Sequence, residues 1–467
     1  MFEFTASYVD QYELTMGQGY FLAGRKDESA VFDYFFRKNP FQGGYTVFAG
    51  LADLLGVLED FRFDEKDLNY LKSQSFHPEY LDHLKHFKFT GTMAAPKEGD
   101  VVFPTRPVLR IEGNLIETQL IETVLLNIIN FQSLIATKAA RMRLVAGERT
   151  LIDFGLRRAQ GLGGIYSSRA AVIGGFDATS NVRAAREYDI QPSGTMAHSY
   201  VQSHDSEIEA FRNFAAARPE DCVLLVDTYN TLKSGVPHAI AVAKEMEKTG
   251  HRLKGIRLDS GDLAYLARKS RAMLDEAGLP YVKIAASNQL DEYVIKSLLD
   301  QGAPIDVFGV GTSLVTGQPD AALDGVYKLA RTDGQPVIKL SENVSKITLP
   351  GRKQVWRAMD KKESFLGADV VGLEDETHIA EMHHPFVPHQ SFAVEPYELQ
   401  PLLHPVMVGG NIVSDPPSLK QTAKYARERL ERLPAEYKRF ENPHIYKVGI
   451  SRRLKTLRDR LITKHQE

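Results

Sequence analysis

From residue 149 onward the chain alternates short apolar runs with helical stretches. The runs are Leu151-Ile152-Asp153-Phe154, Val172-Ile173-Gly174-Gly175, Val223 to Val226, Gly255 to Leu258, Val282 to Ala286 and Ile305 to Val310. Strands separated by helices over such a length predict a parallel sheet. Six or seven such units fit a closed or nearly closed barrel better than an open sheet, though periodicity alone does not choose between them. Polar or glycine-rich groups sit where the runs end: Phe154-Gly155-Leu156-Arg157-Arg158, Asp227-Thr228-Tyr229-Asn230, Arg257-Leu258-Asp259, Ser287-Asn288 and Gly309-Val310-Gly311. In a β/α barrel these positions line the C-terminal mouth, where active sites lie.

The flanking segments read differently. Val31 to Phe36 is rich in strand formers, and Val101 to Phe103 and Val108 to Ile111, broken by Pro104 and Pro107, predict antiparallel strands. Apolar residues from Val47 to Phe61 recur at helical spacing, and a long helix is expected from about Glu117 to Val145. Ser418 to Leu433 and Arg452 to Ile462 predict solvated helices with alternating charge. The expected divisions are an α+β domain over 1–120, an α/β barrel over 121–335 and an α+β region over 336–467, either separate or completing the first domain.

Composition narrows the function. Lys and Arg total 57 against 60 for Asp and Glu, a net charge of −3, which argues against a nucleic-acid binder held by a general basic surface. A phosphate site must then be local, built from a few arginines and oriented amides. Cys222, the only cysteine, excludes disulfide frameworks and cysteine-rich zinc sites, and its apolar neighbours predict a buried structural thiol. No uninterrupted apolar run reaches the ~18 residues that span a bilayer, and the first residues lack a signal-peptide pattern. A soluble cytoplasmic protein with no membrane partner is expected.

Three runs carry candidate chemistry. In Gly194 to Ser199, small neighbours leave the His198 imidazole approachable, and Asp227 is the kind of strand-end residue that orients a ring N–H and leaves the other nitrogen nucleophilic. In Arg257 to Asp262, residues 257 and 259 share one side of a strand. Arg257 suits a carboxylate, and Asp259 suits ribose hydroxyls or Mg²⁺. Gly309-Val310-Gly311-Thr312-Ser313 can aim several N–H groups at a phosphate. His383-His384 and His389 match no standard metal spacing, so a loop is expected there.

These motifs resemble the nicotinate phosphoribosyltransferase family over nearly the whole chain. The residues that carry the likeness are Asp10 to Met16, Phe154 to Gly161, Gly194 to Ser199, Arg257 to Leu263, Gly309 to Ser313, Leu349 to Val355 and Asn442-Pro443-His444. The resemblance implies an irregular β/α barrel of the type II phosphoribosyltransferase kind, with an α+β N-terminal domain completed by C-terminal segments. It implies a homodimer in which Tyr12 reaches the partner's site and stacks on nicotinate against Phe154. Thr195 and Arg257 would face the pyridine carboxylate. Asp259 would hold ribose, Gly309, Gly311 and Thr312 the 5′-phosphate, and Arg157 the phosphate-rich end of phosphoribosyl diphosphate.

His198 is similar to the family's phosphorylated residue, with ATP as co-substrate and Mg²⁺ as cofactor. Relatives that use nicotinamide carry an aspartate where this chain has Ser180, and a serine favours the acid. The expected reaction makes nicotinate mononucleotide and diphosphate, coupled to ATP hydrolysis. A nicotinamide phosphoribosyltransferase and a non-catalytic ligand-sensing barrel are the alternatives.

Overall fold

The computed structural model describes residues 4–343, 346–360, 365–387 and 389–466. The chain divides into two compact units, one made of 1–134 and 322–467, the other of 135–321. The expected breaks at 120 and 335 move. The first falls instead inside the helix Glu122–Ala146. Ahead of the second, strand Gly325–Thr332 pairs antiparallel with Ser29–Phe36, which draws it into the discontinuous unit.

In that unit, seven strands form one sheet whose pairings are antiparallel. Within it Ser29–Phe36 is flanked by Gly325–Thr332 and by the central strand Leu109–Asn114. Beyond these, Thr92–Ala95 pairs with His404–Val408, so residues from the end of the chain complete a sheet begun at its start. Phe32, Tyr34, Phe36, Phe48, Leu54, Leu58, Ile111 and Leu125 share one apolar cluster. A second sheet holds Lys353–Met359, Phe365–Leu373 and Lys447–Ser451. A buried ion cluster ties that sheet to residues 100–106: Asp369 receives Arg357 at 2.9 Å and Arg106 at 2.8 Å, and Asp100 receives Arg429 at 2.8 Å. The histidines at 383 and 384 are not both in a loop. His383 ends strand Glu381–His383, and His384 Nδ1 accepts from the N–H groups of Phe386 and Val387.

The helix expected from 117 to 145 is two, Leu115–Leu120 and Glu122–Ala146, with Ile121 at ψ 0° between them. By length and composition the stretch 115–146 is apolar enough to cross a membrane, yet 72% of its most apolar window is buried inside the protein, as in a core helix.

The continuous unit holds six parallel strands in the order Ala178–Thr179, Thr150–Asp153, Val307–Val310, Lys283–Ser287, Gly255–Leu258, Val223–Leu225. The sheet is a half-barrel: among the described residues no ladder joins the first strand of that order to the last. Five of the six strands lie where the apolar runs predict them. The run at 172–175 is instead the end of helix Gly163–Ile173, with Gly174 as its C-cap and Gly175 at φ +105°. A four-residue apolar run reads the same on a buried helix face as on a strand, and a following glycine pair fits a helix stop. The strand actually present is the shorter Ala178–Thr179. Cys222 is fully buried beside Val223–Leu225, and burial pushes its thiol up to about 12.

Candidate active site

Every candidate residue except Tyr12 lies in the continuous unit, at or near the C-terminal ends of its strands save for Thr195 and His198, which come from the segment between Ala178–Thr179 and Val223–Leu225. Phe154 follows strand Thr150–Asp153 and donates its N–H to the Val310 carbonyl at 2.8 Å. Its ring lies flat against the backbone at Gly309: a Cβ there would come within 3.0 Å of two ring carbons. Gly309 is therefore required by close approach. Gly311 runs in ordinary contact with the backbone of residues 154 and 155, where a Cβ would stand 3.4 Å from the Phe154 carbonyl oxygen.

Arg257, on strand Gly255–Leu258, is aimed across this ring, its Cζ 6.0 Å from the ring centroid. One terminal nitrogen donates to Thr195 Oγ1 at 2.6 Å and the other to the Met196 carbonyl at 2.9 Å, while Nε is buried with no partner among the described residues. Burial pulls the Arg257 pKa down and nearby Arg157 adds to this, with Asp259 and Asp227 opposing. A cation held against both desolvation and a second guanidinium is a site for an anion. Arg157 is exposed at the same rim.

His198 opens the short helix His198–Gln202. Its Nδ1 lies 3.1 Å from the Thr228 hydroxyl and its Nε2 3.8 Å from Asp259 Oδ2. The expected orienting residue, Asp227, does not perform that task. Its Oδ2 accepts instead from the Asp259 N–H at 2.7 Å and the Ser260 hydroxyl at 2.8 Å. Asp227 thus fixes the turn that carries Asp259, and the imidazole is bracketed by Thr228 and Asp259. Asp259 in turn accepts from Ser287 Oγ at 2.5 Å. Asp227 Oδ1 is buried without a partner among the described residues, as is the Ser313 hydroxyl in the glycine run at 309–313. Thr312 is exposed at the start of helix Thr312–Val315.

Ser180 follows strand Ala178–Thr179 and donates its N–H to the Asp153 carbonyl at 2.8 Å. Tyr12 sits on helix Gln11–Leu22 of the other unit with an exposed ring, its hydroxyl held well above the usual range by burial and by Glu122. Thr228 and Ser287, which hold His198 and Asp259, are not singled out by the sequence. Both stand in strand-end groups of the sequence, but which of two adjacent polar residues faces the imidazole depends on the strand's rotation. Asn288 and Gln289, at φ +80° and +49°, mark a sharply turned strand end at the same rim.

The site therefore combines a flat aromatic wall, an under-neutralised guanidinium, a glycine-lined backbone and an approachable imidazole beside carboxylates. The chain matches the nicotinate phosphoribosyltransferase (NAPRTase) family model over residues 150–388, that family's N-terminal domain over 8–130 and its C-terminal domain over 352–458. Nicotinate phosphoribosyltransferase of Bacillus subtilis (strain 168) is 44% identical over 456 residues, spanning 95% of this chain and 92% of that protein. The Bos taurus protein of the same name is 36% identical, spanning 97% and 96%. The crystal structure of human nicotinic acid phosphoribosyltransferase superposes with a TM-score of 0.87 at 33% identity, covering 97% of this chain and 99% of that one. A half-barrel with charged strand ends, in a chain that also forms an α+β unit completed by its final segment, makes this a type II phosphoribosyltransferase. The chain belongs to the nicotinate phosphoribosyltransferase family and is an enzyme of that kind.

Proposed function

We propose that this enzyme joins nicotinate to 5-phosphoribosyl 1-diphosphate, forming nicotinate mononucleotide and diphosphate, and couples the reaction to ATP hydrolysis through a phosphorylated His198. The observation that carries the reading is Arg257: a half-buried guanidinium facing the Phe154 ring beside the Thr195 hydroxyl. That combination suits a flat aromatic acid, the ring against Phe154 and the carboxylate on the cation. Ser180 adds no negative charge to oppose the acid.

The pyridine nitrogen attacks the anomeric carbon with its lone pair while the bond to diphosphate breaks. It carries no proton, so no general base is needed. The protein's work is to align the two substrates and stabilise the developing charges. Arg157 meets the phosphate-rich end, Asp259 the ribose hydroxyls, and the backbone from Gly309 to Thr312 the 5′-phosphate. Mg²⁺ fits the donor set: among the described residues Asp227 Oδ1 is buried with no hydrogen-bond partner, and this metal favours one or two carboxylates plus substrate oxygens. Asp227 and Asp259 would hold it, and when bound it would neutralise charge on the departing diphosphate.

In the ATP step, His198 Nε2 attacks the γ-phosphorus and ADP leaves with the bridging oxygen; water later cleaves the N–P bond to release phosphate. Thr228 at Nδ1 sets the ring so that Nε2 presents its lone pair, and Asp259 stabilises the imidazolium that forms. The enzyme works as a cytoplasmic homodimer, with Tyr12 of one subunit covering nicotinate in the other; an exposed aromatic ring on a terminal helix suits that use. The test is diphosphate release from phosphoribosyl diphosphate and nicotinate, with and without ATP. Nicotinate-dependent release, raised by ATP, is expected. Release with nicotinamide but not nicotinate would reverse the substrate assignment, and binding without release would leave only a ligand sensor.

A further inference from the structure

We propose that Asp153 is a positioning residue that locks three walls of the nicotinate pocket into one rigid frame and thereby sets affinity for the pyridine acid. The inference rests on the reading that Phe154, Ser180 and Thr195 surround nicotinate.

Asp153 is the last residue of strand Thr150–Asp153, and its carboxylate is enclosed. Oδ1 accepts the N–H of Gly155 at 2.8 Å, which holds Phe154 from the residue after it. Oδ2 accepts the hydroxyls of Ser168 at 2.7 Å and Thr179 at 2.8 Å. The Thr179 hydroxyl then accepts the Asn181 N–H at 3.0 Å, so Ser180 is clasped from both sides. The Ser180 N–H closes the loop on the Asp153 carbonyl. Thr179 also reaches the third wall. Its carbonyl accepts the Ser193 N–H at 2.9 Å, two residues before the Thr195 that receives Arg257. Helix Gly163–Ile173 is tied in through Ser168, and Asn181 Nδ2 donates to the Gly164 carbonyl at 2.8 Å.

One carboxylate with three donors therefore fixes the residue after Phe154 and the residue before Ser180, and the Thr179 backbone carries the link on to the segment before Thr195, while its own side chain stays out of the pocket. Burial pushes its pKa up and the three donors act the other way. A buried acid placed only for stability need not join these segments. This one joins the aromatic wall, the residue at the acid-versus-amide position and the segment leading to the carboxylate-binding threonine.

The test compares Asp153→Asn, Thr179→Val and Thr179→Ser with wild type by steady-state kinetics, varying each substrate in turn. In Asp153→Asn one acceptor oxygen becomes a donor nitrogen, so the new amide cannot serve all three donors. The valine keeps the shape of Thr179 while removing its hydroxyl. Both variants are expected to raise KM for nicotinate about tenfold, the loss expected of a broken buried tether. KM for phosphoribosyl diphosphate should stay within about twofold, and the preference for nicotinate over nicotinamide should narrow. Thr179→Ser, which restores the hydroxyl, should return both values to near wild type. If Asp153→Asn fails to fold, the valine and serine pair decides. Unchanged nicotinate KM in Thr179→Val, or equal rises for both substrates, would overturn the positioning role alone. A wild-type enzyme that cannot use nicotinate would overturn the functional reading, and this role with it.

Discussion

Replacing Gly309 with alanine tests how tightly the aromatic wall is set. The new methyl would lie within 3.0 Å of two Phe154 ring carbons, against an ordinary carbon contact of about 3.5–4.0 Å. Phe154 cannot swing freely, since its N–H is bonded to Val310 and the next residue to Asp153. The ring must therefore retreat by roughly 1 Å toward the pocket and Arg257. Overpacking of this kind costs about 1–3 kcal/mol. If the strain is released by a shifted ring, misplacement of about 1 Å lowers turnover by up to ~100-fold. The expected result is a 10- to 100-fold fall in kcat/KM for nicotinate with a Tm lower by only a few degrees. Steady-state kinetics at saturating phosphoribosyl diphosphate, with thermal unfolding alongside, measures both. A double-mutant cycle with Phe154→Ala isolates the cause: with the ring gone, Gly309→Ala should add little. An equal penalty in both backgrounds would refute the ring-against-glycine argument.

Three further outcomes are expected. His198→Ala should abolish ATP hydrolysis and its coupling while leaving slow, uncoupled nucleotide synthesis; full coupling in that variant would sink the assigned role. Ser180→Asp should raise KM for nicotinate by about tenfold or more through charge repulsion, since a factor of ten needs only about 1.4 kcal/mol. Unchanged kinetics would show that position 180 does not read the carboxylate. Glu13, fully buried beside Thr123, has its pKa raised by burial from 4.5 to about 8. The folded state thus keeps a proton that the unfolded chain releases, so this contribution to stability is complete below pH 4.5 and declines as pH rises through 8. Glu13→Gln should flatten the denaturant-measured stability profile across that window, and an unaltered slope would contradict the shift.

Strand ends were legible in the sequence because buried parallel strands leave continuous apolar runs, and function collects where those runs stop. That signal located Phe154, Asp227, Arg257, Asp259 and Gly309 without any three-dimensional information. It failed at 172–175, where four residues are too few for either period to show. It also failed on which neighbour serves His198. Asp227 and Thr228 are adjacent, so one points toward the imidazole and the other into the turn, and only the backbone path decides. Asp153 stood inside an apolar run as a lone acid, a visible anomaly, but its three donors come from residues 155, 168 and 179. The merging of residues 322–467 with 1–134 rests on strand pairing across hundreds of residues, which no local pattern encodes.

That discontinuous sheet dictates an order of events on the ribosome. Strand Thr92–Ala95 meets His404–Val408, made roughly 300 residues later, a wait of about 15–60 s at ~5–20 residues per second. Residues 135–321, by contrast, emerge as one block with all six of their parallel strands. The half-barrel unit can mature while the amino-terminal segment still exposes unpaired strand edges. Holdase chaperones should therefore engage nascent chains chiefly through residues 29–114, and release them only after the chain passes residue 408.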